Sequence, residues 1–292
     1  MNDLIIAGHG YLGSKIIKLL IKNNILKCNR IFALSRGNTK IDPNSTLVTQ
    51  VIVDFDKDFK NLNIKENSTI IYLAPPNSDS GTKDQRIRNF SEKLNGIRLK
   101  KFVYISTSGV YGNYNGSTVN ELSPLKPLTE RAKRRVDAET IIKKFSAGKF
   151  PLVILRVPGI YGPTRLPNKE KLKTPMIRPD ESKITNLIHV DDLAHLCLLS
   201  CHDNIGNEVI NVSDGCPLTT TEFYAEYCRQ TKITPLPYIT LAQANEIYSE
   251  KRLSFINESR QLDVTKMTAL FGGYKCLNIK DGIKKSLAAN DA

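Results

Sequence analysis

Residues 3–20, DLIIAGHGYLGSKIIKLL, constrain the chain more than any other stretch. Leu4, Ile5, Ile6 and Ala7 form an apolar run that leads straight into Gly8, Gly10 and Gly13. An amphipathic segment carrying Leu12, Ile16, Ile17, Leu19 and Leu20 comes next without a break. A buried strand, glycines at G-x-G-x-x-G spacing and then a helix is the local order that a dinucleotide-binding turn requires. Gly8 permits the tight turn, Gly10 lets the backbone approach a pyrophosphate with no Cβ in the way, and Gly13 lets the helix lie close on the strand. Tyr11 and Leu12 open that helix, whose free N–H groups and partial positive charge suit phosphate.

The strand–helix alternation then repeats along the chain. Residues 30–35 (RIFALS) read as a second strand, and the ribose-reading position lies about 20 residues past a glycine turn of this kind. An acid there would accept from the 2′-hydroxyl of NAD. This chain has Ser35, Arg36 and Gly37 instead. A carboxylate repels a 2′-phosphate, whereas a guanidinium binds it with two parallel charged hydrogen bonds, so the expectation is NADP, with NAD as the alternative. Residues 46–53 read as a third strand ending at Asp54, placed to accept from the adenine amine. Residues 69–74 read as a fourth, with Ala74 and Pro75 at its ligand-binding C-terminal end. A polar helix over 83–94 and a fifth strand over 101–105 complete the pattern of an α/β fold, a Rossmann-type doubly wound parallel sheet.

At 292 residues the chain can bury a large core, and its 40% hydrophobic and 24% charged content is that of a folded domain. The net charge of +13 is spread along the whole sequence. With no helix-turn-helix, zinc-finger or aromatic-interleaved basic stripe, no nucleic-acid partner is expected. Six scattered cysteines without C-x-x-C pairs, no room for a signal peptide before the first strand, and no apolar run near the ~20 residues of a membrane span point to a cytoplasmic protein.

Directly after the fifth strand comes Ser106-Thr107-Ser108-Gly109-Val110-Tyr111-Gly112, then Asn120-Glu121-Leu122-Ser123-Pro124. A strand over 152–157 runs into Pro158-Gly159-Ile160-Tyr161-Gly162-Pro163, and beyond it lie Ile188-His189-Val190-Asp191-Asp192 and Asn211-Val212-Ser213-Asp214. In these landmarks and their order the chain resembles the extended short-chain dehydrogenase/reductases, the NAD(P)-dependent epimerase/dehydratase branch. The Ala-Gly-x-Gly-x-x-Gly turn, the Pro75-Pro76 pair and the T-x-x-x-basic segment at 129–133 look most like its YeeZ-like atypical members.

The resemblance implies a carbonyl or alcohol substrate and a set of site residues. Thr107, with Ser108 beside it, matches the strand-end hydroxyl that orients the substrate oxygen. Lys133 matches the lysine that holds the nicotinamide ribose, and Pro158 the loop beside the cofactor. The family's acid/base tyrosine, four residues before that lysine, is replaced by Thr129. An aliphatic hydroxyl cannot share a proton usefully near pH 7, so Thr129 is not a substitute acid. Tyr111 is the better of the remaining tyrosines, while His189 is expected to cap or pack the adjoining helix. If no side chain replaces the acid, the protein is a sensor that binds the cofactor without turning it over.

The loop over 164–183 is rich in Lys, Arg and Pro. Arg165, Lys169, Lys171 and Lys173 would there meet an anionic small-molecule substrate, or else stay solvated. Arg131, Arg134 and Arg135 are expected at the surface or at a subunit interface. His195, Cys197, Cys201 and His202 lie among leucines and read as a core helix, with no metal site expected. The expected organisation is a nucleotide domain over 1–163 and 184–212 and a small C-terminal α/β substrate lobe over 164–183 and 213–292, as a monomer or homodimer.

Overall fold

Short apolar runs such as 4–7 and 69–72 make strands covered on both faces, whereas 48–52 (VTQVI) carries polar residues and has none buried. In the computed structural model, which describes residues 2–23, 25–37, 46–57, 59, 62–79, 81–167 and 172–289, they become β1 (Asn2–Ala7), β2 (Cys28–Ser35), β3 (Val48–Ile52), β4 (Thr69–Tyr72) and β5 (Lys101–Thr107). Then come β6 (Thr118–Val119), β7 (Leu152–Val157), β8 (Gly159–Tyr161), β9 (Ile184–Thr185), β10 (Leu187–His189), β11 (Glu208–Asn211), β12 (Leu218–Thr219) and β13 (Gln261–Leu262). The helices are α1 (Tyr11–Asn23), α2 (Gln85–Lys93), α3 (Glu130–Ser146), α4 (Val190–Leu199), α5 (Thr220–Thr231), α6 (Leu241–Ile247), α7 (Glu250–Ile256), α8 (Thr265–Leu270) and α9 (Ile279–Ala288).

Two compact units result. The first holds residues 1–110, 127–156 and 193–210, the second 111–126, 157–192 and 211–292. The boundary differs from the one read from sequence, because three stretches assigned there to the nucleotide domain pair within the second unit. β8 lies parallel to β10, with Leu187 opposite Gly159, and β6 lies parallel to β13, with Leu262 opposite Val119.

The first unit is built on a seven-stranded sheet in the order β3-β2-β1-β4-β5-β7-β11. β1 runs parallel to β2 and β4, and β2–β3 and β4–β5 are parallel too, as a Rossmann-type sheet requires. Every residue of β4 and β7 is buried. Tyr72, Phe90 and Phe102 form a buried aromatic cluster, with the Phe90 ring edge-on to both, its centroid 5.1 Å from that of Tyr72 and 6.3 Å from that of Phe102. Each such ring removed from water contributes roughly 2–3 kcal/mol.

α3 is polar, and specific bonds fix it in place of a broad apolar face. Thr129 caps it, accepting from the Ala132 N–H at 3.2 Å. Arg134 donates to the carbonyls of Ser78, at 3.2 Å, and Gly81. Arg135 donates to the Tyr104 hydroxyl at 2.9 Å and the Ile105 carbonyl at 3.0 Å. The surface role expected for Arg134 and Arg135 is therefore corrected: they face inward and tie α3 to β5 and to the loop after β4. Among the described residues, no large exposed apolar side chain lies on α2 or α3.

In the second unit β9 and β12 are antiparallel, and Thr219 opens α5 with a reciprocal capping box to Glu222. Tyr161, Leu166, Phe223 and Ile283 form one small core, and Ile177, Ala244 and Tyr248 another. Part of the 164–183 loop is thus packed. Met176 and Ile177 are buried, and the Tyr248 hydroxyl donates to the Pro175 carbonyl at 2.6 Å. No described helix is long and apolar enough to cross a membrane.

Candidate functional site

The turn after β1 is held from both sides. The Gly8 and His9 N–H groups donate to the Leu34 carbonyl at 3.0 and 2.6 Å, and the Leu73 and Ala74 N–H groups to the Ala7 carbonyl at 2.7 and 3.0 Å. Gly8 sits at φ +107°, and a Cβ there would stand 2.6 Å from the Ala74 nitrogen, so only glycine fits. At Gly10 a Cβ would meet nothing within 4 Å, which leaves that space open to a ligand. At Gly13 it would press on Ile6 at 3.2 Å, where α1 rests on β1. The first turn of α1, with Tyr11 and Leu12, carries no acid to offset its positive end. These features fit a pyrophosphate.

An open cavity of about 200 Å³ adjoins this turn, lined among others by Gly8, His9, Gly10, Ser35, Arg36, Ala74 and Pro75. The Ser35 hydroxyl donates to the Gly37 carbonyl at 2.6 Å, and the same carbonyl accepts from Gln50 Nε2 at 3.0 Å. These bonds fix the turn that carries the exposed Arg36. Val53 and Phe55 also line the cavity. Asp54 between them accepts from the Asp56 N–H at 3.1 Å, so one carboxylate oxygen of the residue expected at the adenine shapes a turn.

Two residues of this cavity escaped the sequence reading. Burial pushes the His9 imidazole below its ordinary value and favours the neutral ring, whose Nε2 lies 3.2 Å from Ser14 Oγ. Position 9 falls between two glycines that drew all the attention. Arg86, in α2, donates from Nε to Asp56 Oδ1 at 2.8 Å, from Nη2 to Asp56 Oδ2 at 2.5 Å and from Nη1 to the Pro75 carbonyl at 2.7 Å. The hydrogen bonds from Arg86 hold the Asp56 carboxyl below the usual carboxylate range, helped by the charges of Arg86 and Arg36 and by Asn77. No local pattern in the sequence marks Arg86.

Thr107 ends β5, and its Oγ1 accepts from the Gly109 N–H at 3.2 Å. A Cβ on Gly109 would lie 3.5 Å from Thr107 Oγ1 and 3.8 Å from the Ala132 Cβ, so the missing side chain lets this strand end approach the first turn of α3. Ser108 is buried at the start of a single 3₁₀ turn. Lys133 comes directly after Ala132 and is exposed, with no acceptor for its ammonium among the described residues. Beneath, the Ser106 hydroxyl donates to Glu139 Oε1 at 2.6 Å.

In the second unit, Tyr111 is fully buried and its hydroxyl donates to Asn211 Oδ1 at 2.6 Å. That corrects the expectation of a proton-donating tyrosine, since the phenol lacks access to solvent and is spent on a structural bond. His189 packs as expected: Nδ1 accepts from the Asp191 N–H at 3.2 Å, and Nε2 lies 3.0 Å from Ser286 Oγ. Pro158 is half-buried, while Arg165 and Lys173 are exposed. Lys169 and Lys171 lie outside the described residues. Cys197 and Cys201 are buried on and just past α4, the Cys201 thiol donates to the Cys197 carbonyl at 3.3 Å, and burial pushes the Cys201 thiol up to about 12.

The sheet order, the glycine turn and the helix behind it define a Rossmann-type α/β protein. Residues 4–213 match the NAD dependent epimerase/dehydratase family, and the chain belongs to that family. A putative UDP-glucose 4-epimerase of Methanocaldococcus jannaschii is 27% identical over 249 residues, which cover 76% of this chain and 79% of that one. The human dTDP-D-glucose 4,6-dehydratase is 37% identical over 73 residues, 25% of this chain and 21% of that one. Among solved structures, a conserved protein of unknown function from Silicibacter pomeroyi superposes with a TM-score of 0.80 at 21% identity and full coverage of both chains. MoeE5 in complex with UDP-glucose and NAD gives 0.78 at 18% identity, over 99% of this chain and 98% of that one.

Proposed function

We propose that the chain is an NADP(H)-dependent enzyme acting on a carbonyl or alcohol carbon, with a sugar nucleotide or another anionic small molecule as substrate. The observation that carries this reading is the cavity in which the open face of Gly10 and the exposed Arg36 line one space. Gly10 and the α1 N-terminus hold the phosphates, and Arg36 takes the 2′-phosphate that an acid at its position would repel. NAD is the alternative cofactor, and it is the one bound to MoeE5. Asp54 offers its second oxygen to the adenine amine, and Ala74 and Pro75 flank the cofactor. When bound, the dinucleotide would supply the carbon that gives or accepts hydride.

The chain's own residues then orient the partners of that transfer. Thr107 offers its hydroxyl to the substrate oxygen with Ser108 beside it, and Lys133, whose ammonium is uncommitted, holds the ribose. The proton comes from a group other than Thr129, Tyr111 or His189, which are all engaged in structural bonds. The six free cysteines suit a reducing, cytoplasmic setting.

A second reading is favoured by one specific observation. Thr129 stands where the family tyrosine would be and serves as a helix cap, which is what a cofactor-binding sensor without turnover would retain. Parallel titration with NADPH and NADH, followed by nicotinamide fluorescence, tests both readings. Tight NADPH binding together with NADPH oxidation by a member of a UDP- and dTDP-sugar panel supports the enzyme. Binding with no turnover on any carbonyl substrate supports the sensor, and binding of neither dinucleotide removes both.

A further inference from the structure

We propose that Arg86 sets the dinucleotide preference of the first unit by holding the Asp56 carboxylate, which leaves the Arg36 guanidinium free for a 2′-phosphate. The inference rests on the reading that this unit binds a nicotinamide dinucleotide. Three of the five guanidinium N–H groups of Arg86 donate to protein acceptors, two to the Asp56 carboxylate and one to the Pro75 carbonyl. Its side chain is 9% exposed, so this geometry is fixed by packing. Its effect on a ligand therefore runs through the residues it holds.

Asp56 is the residue at stake. It is exposed, four residues past the end of β3, and the two guanidinium groups whose charges act on its carboxyl are Arg86 and Arg36. With Arg86 in place, both carboxylate oxygens are engaged by a two-pronged pair, and Asn77 Nδ2 adds a third bond at 3.2 Å to Oδ1. Arg36 and Arg86 line the same cavity, so a carboxylate released by Arg86 would turn to Arg36, the group needed by a 2′-phosphate. A phosphate monoester of charge near −2 would then compete with a carboxylate for one fork and be repelled by it. NADH, with a neutral 2′-hydroxyl, is indifferent to that competition. The bond from Arg86 to the Pro75 carbonyl has a different signature: Pro75 serves the part of the cavity common to both cofactors, so its loss weakens NADH and NADPH alike.

The ratio of the two affinities separates these roles. Dissociation constants for NADPH and NADH are measured by nicotinamide fluorescence on the wild type, Arg86→Met, Asp56→Asn and the double variant. Arg86→Met is expected to weaken NADPH about tenfold and NADH less than about threefold, and adding Asp56→Asn is expected to restore most of the NADPH affinity. Equal weakening of both cofactors, or no recovery in the double variant, overturns the proposal while leaving cofactor binding intact. Should Arg86→Met not fold, Arg86→Lys decides: it keeps the positive charge but not the two-pronged hold on Asp56, and the NADPH-to-NADH affinity ratio is expected to fall about threefold. An unchanged ratio overturns the proposal. Failure of the wild type to bind either dinucleotide overturns both this proposal and the reading beneath it.

Discussion

Glu139 and Arg156 form a fully buried ion pair, with Arg156 Nη2 2.8 Å from Glu139 Oε2 and both side chains no more than 3% exposed. Glu139 also accepts from the Ser106 hydroxyl, and so joins α3 and β7 to the strand end that carries Thr107. A buried carboxylate with two charge-assisted or hydroxyl donors is tolerated, whereas removing one member of a buried pair is costly.

Glu139→Ala is therefore expected to destabilise the protein by about 3 kcal/mol, because it removes the buried carboxylate that pairs with Arg156 and accepts from Ser106. Replacing both partners, as Glu139→Leu with Arg156→Met, should cost less than the single change. Denaturant unfolding of the three proteins checks this, and a double variant less stable than Glu139→Ala would refute the account.

The glycines of the turn separate fold from binding. Gly8→Ala places a Cβ 2.6 Å from backbone at φ +107° and should cost at least ~2 kcal/mol of stability. Gly10→Ala meets no protein atom, so it should melt like the wild type yet bind dinucleotide at least about tenfold more weakly, by filling the phosphate space. Melting curves and the fluorescence titration on the same samples report the two effects independently.

Thr129 and Lys133 should behave in opposite ways. Thr129→Ala loses a helix cap, about 1 kcal/mol of stability, with dinucleotide affinity unchanged. Lys133→Ala removes an exposed, uncommitted ammonium: stability should hold within about 0.5 kcal/mol, while cofactor affinity and any turnover fall. Undiminished activity in Lys133→Ala would take that residue out of the mechanism.

Asp214 gives a pH signature. Burial pushes its carboxyl up to about 6 from an ordinary 3.8, and one buried oxygen, Oδ2, has no partner among the described residues. A raised folded-state value means the stability from this group is complete below pH 3.8 and is lost as the pH rises through about 6. Asp214→Asn keeps an acceptor for the Cys216 N–H and should be more stable than the wild type above pH 6, by roughly 2 kcal/mol for this partly exposed group. The gain should vanish near pH 4. Unfolding midpoints of both proteins across pH 4–8 measure it, and a gain independent of pH would contradict the assignment.

The local sequence around residues 2–23 determined its own structure. An apolar run, a glycine pattern and an amphipathic repeat each act over a few residues, and β1, the turn and α1 formed where those signals lie. The same holds for β7, whose run from Leu152 to Val157, apolar but for Arg156, matches the strand end to end, and for the Thr219 cap of α5. Tertiary structure decided what the polar side chains do. Arg86 reaches Asp56 across 30 residues, Arg135 reaches Tyr104 across 31, and Tyr111 reaches Asn211 across 100. Arginine and tyrosine carry long side chains whose partner is chosen by which strand ends and helix turns the fold brings within about 3 Å, and no short-range pattern encodes that choice. For that reason the strand, glycine turn and helix were legible in the letters of the chain, while the buried fate of Tyr111 and the pairing of Asp56 with Arg86 were not.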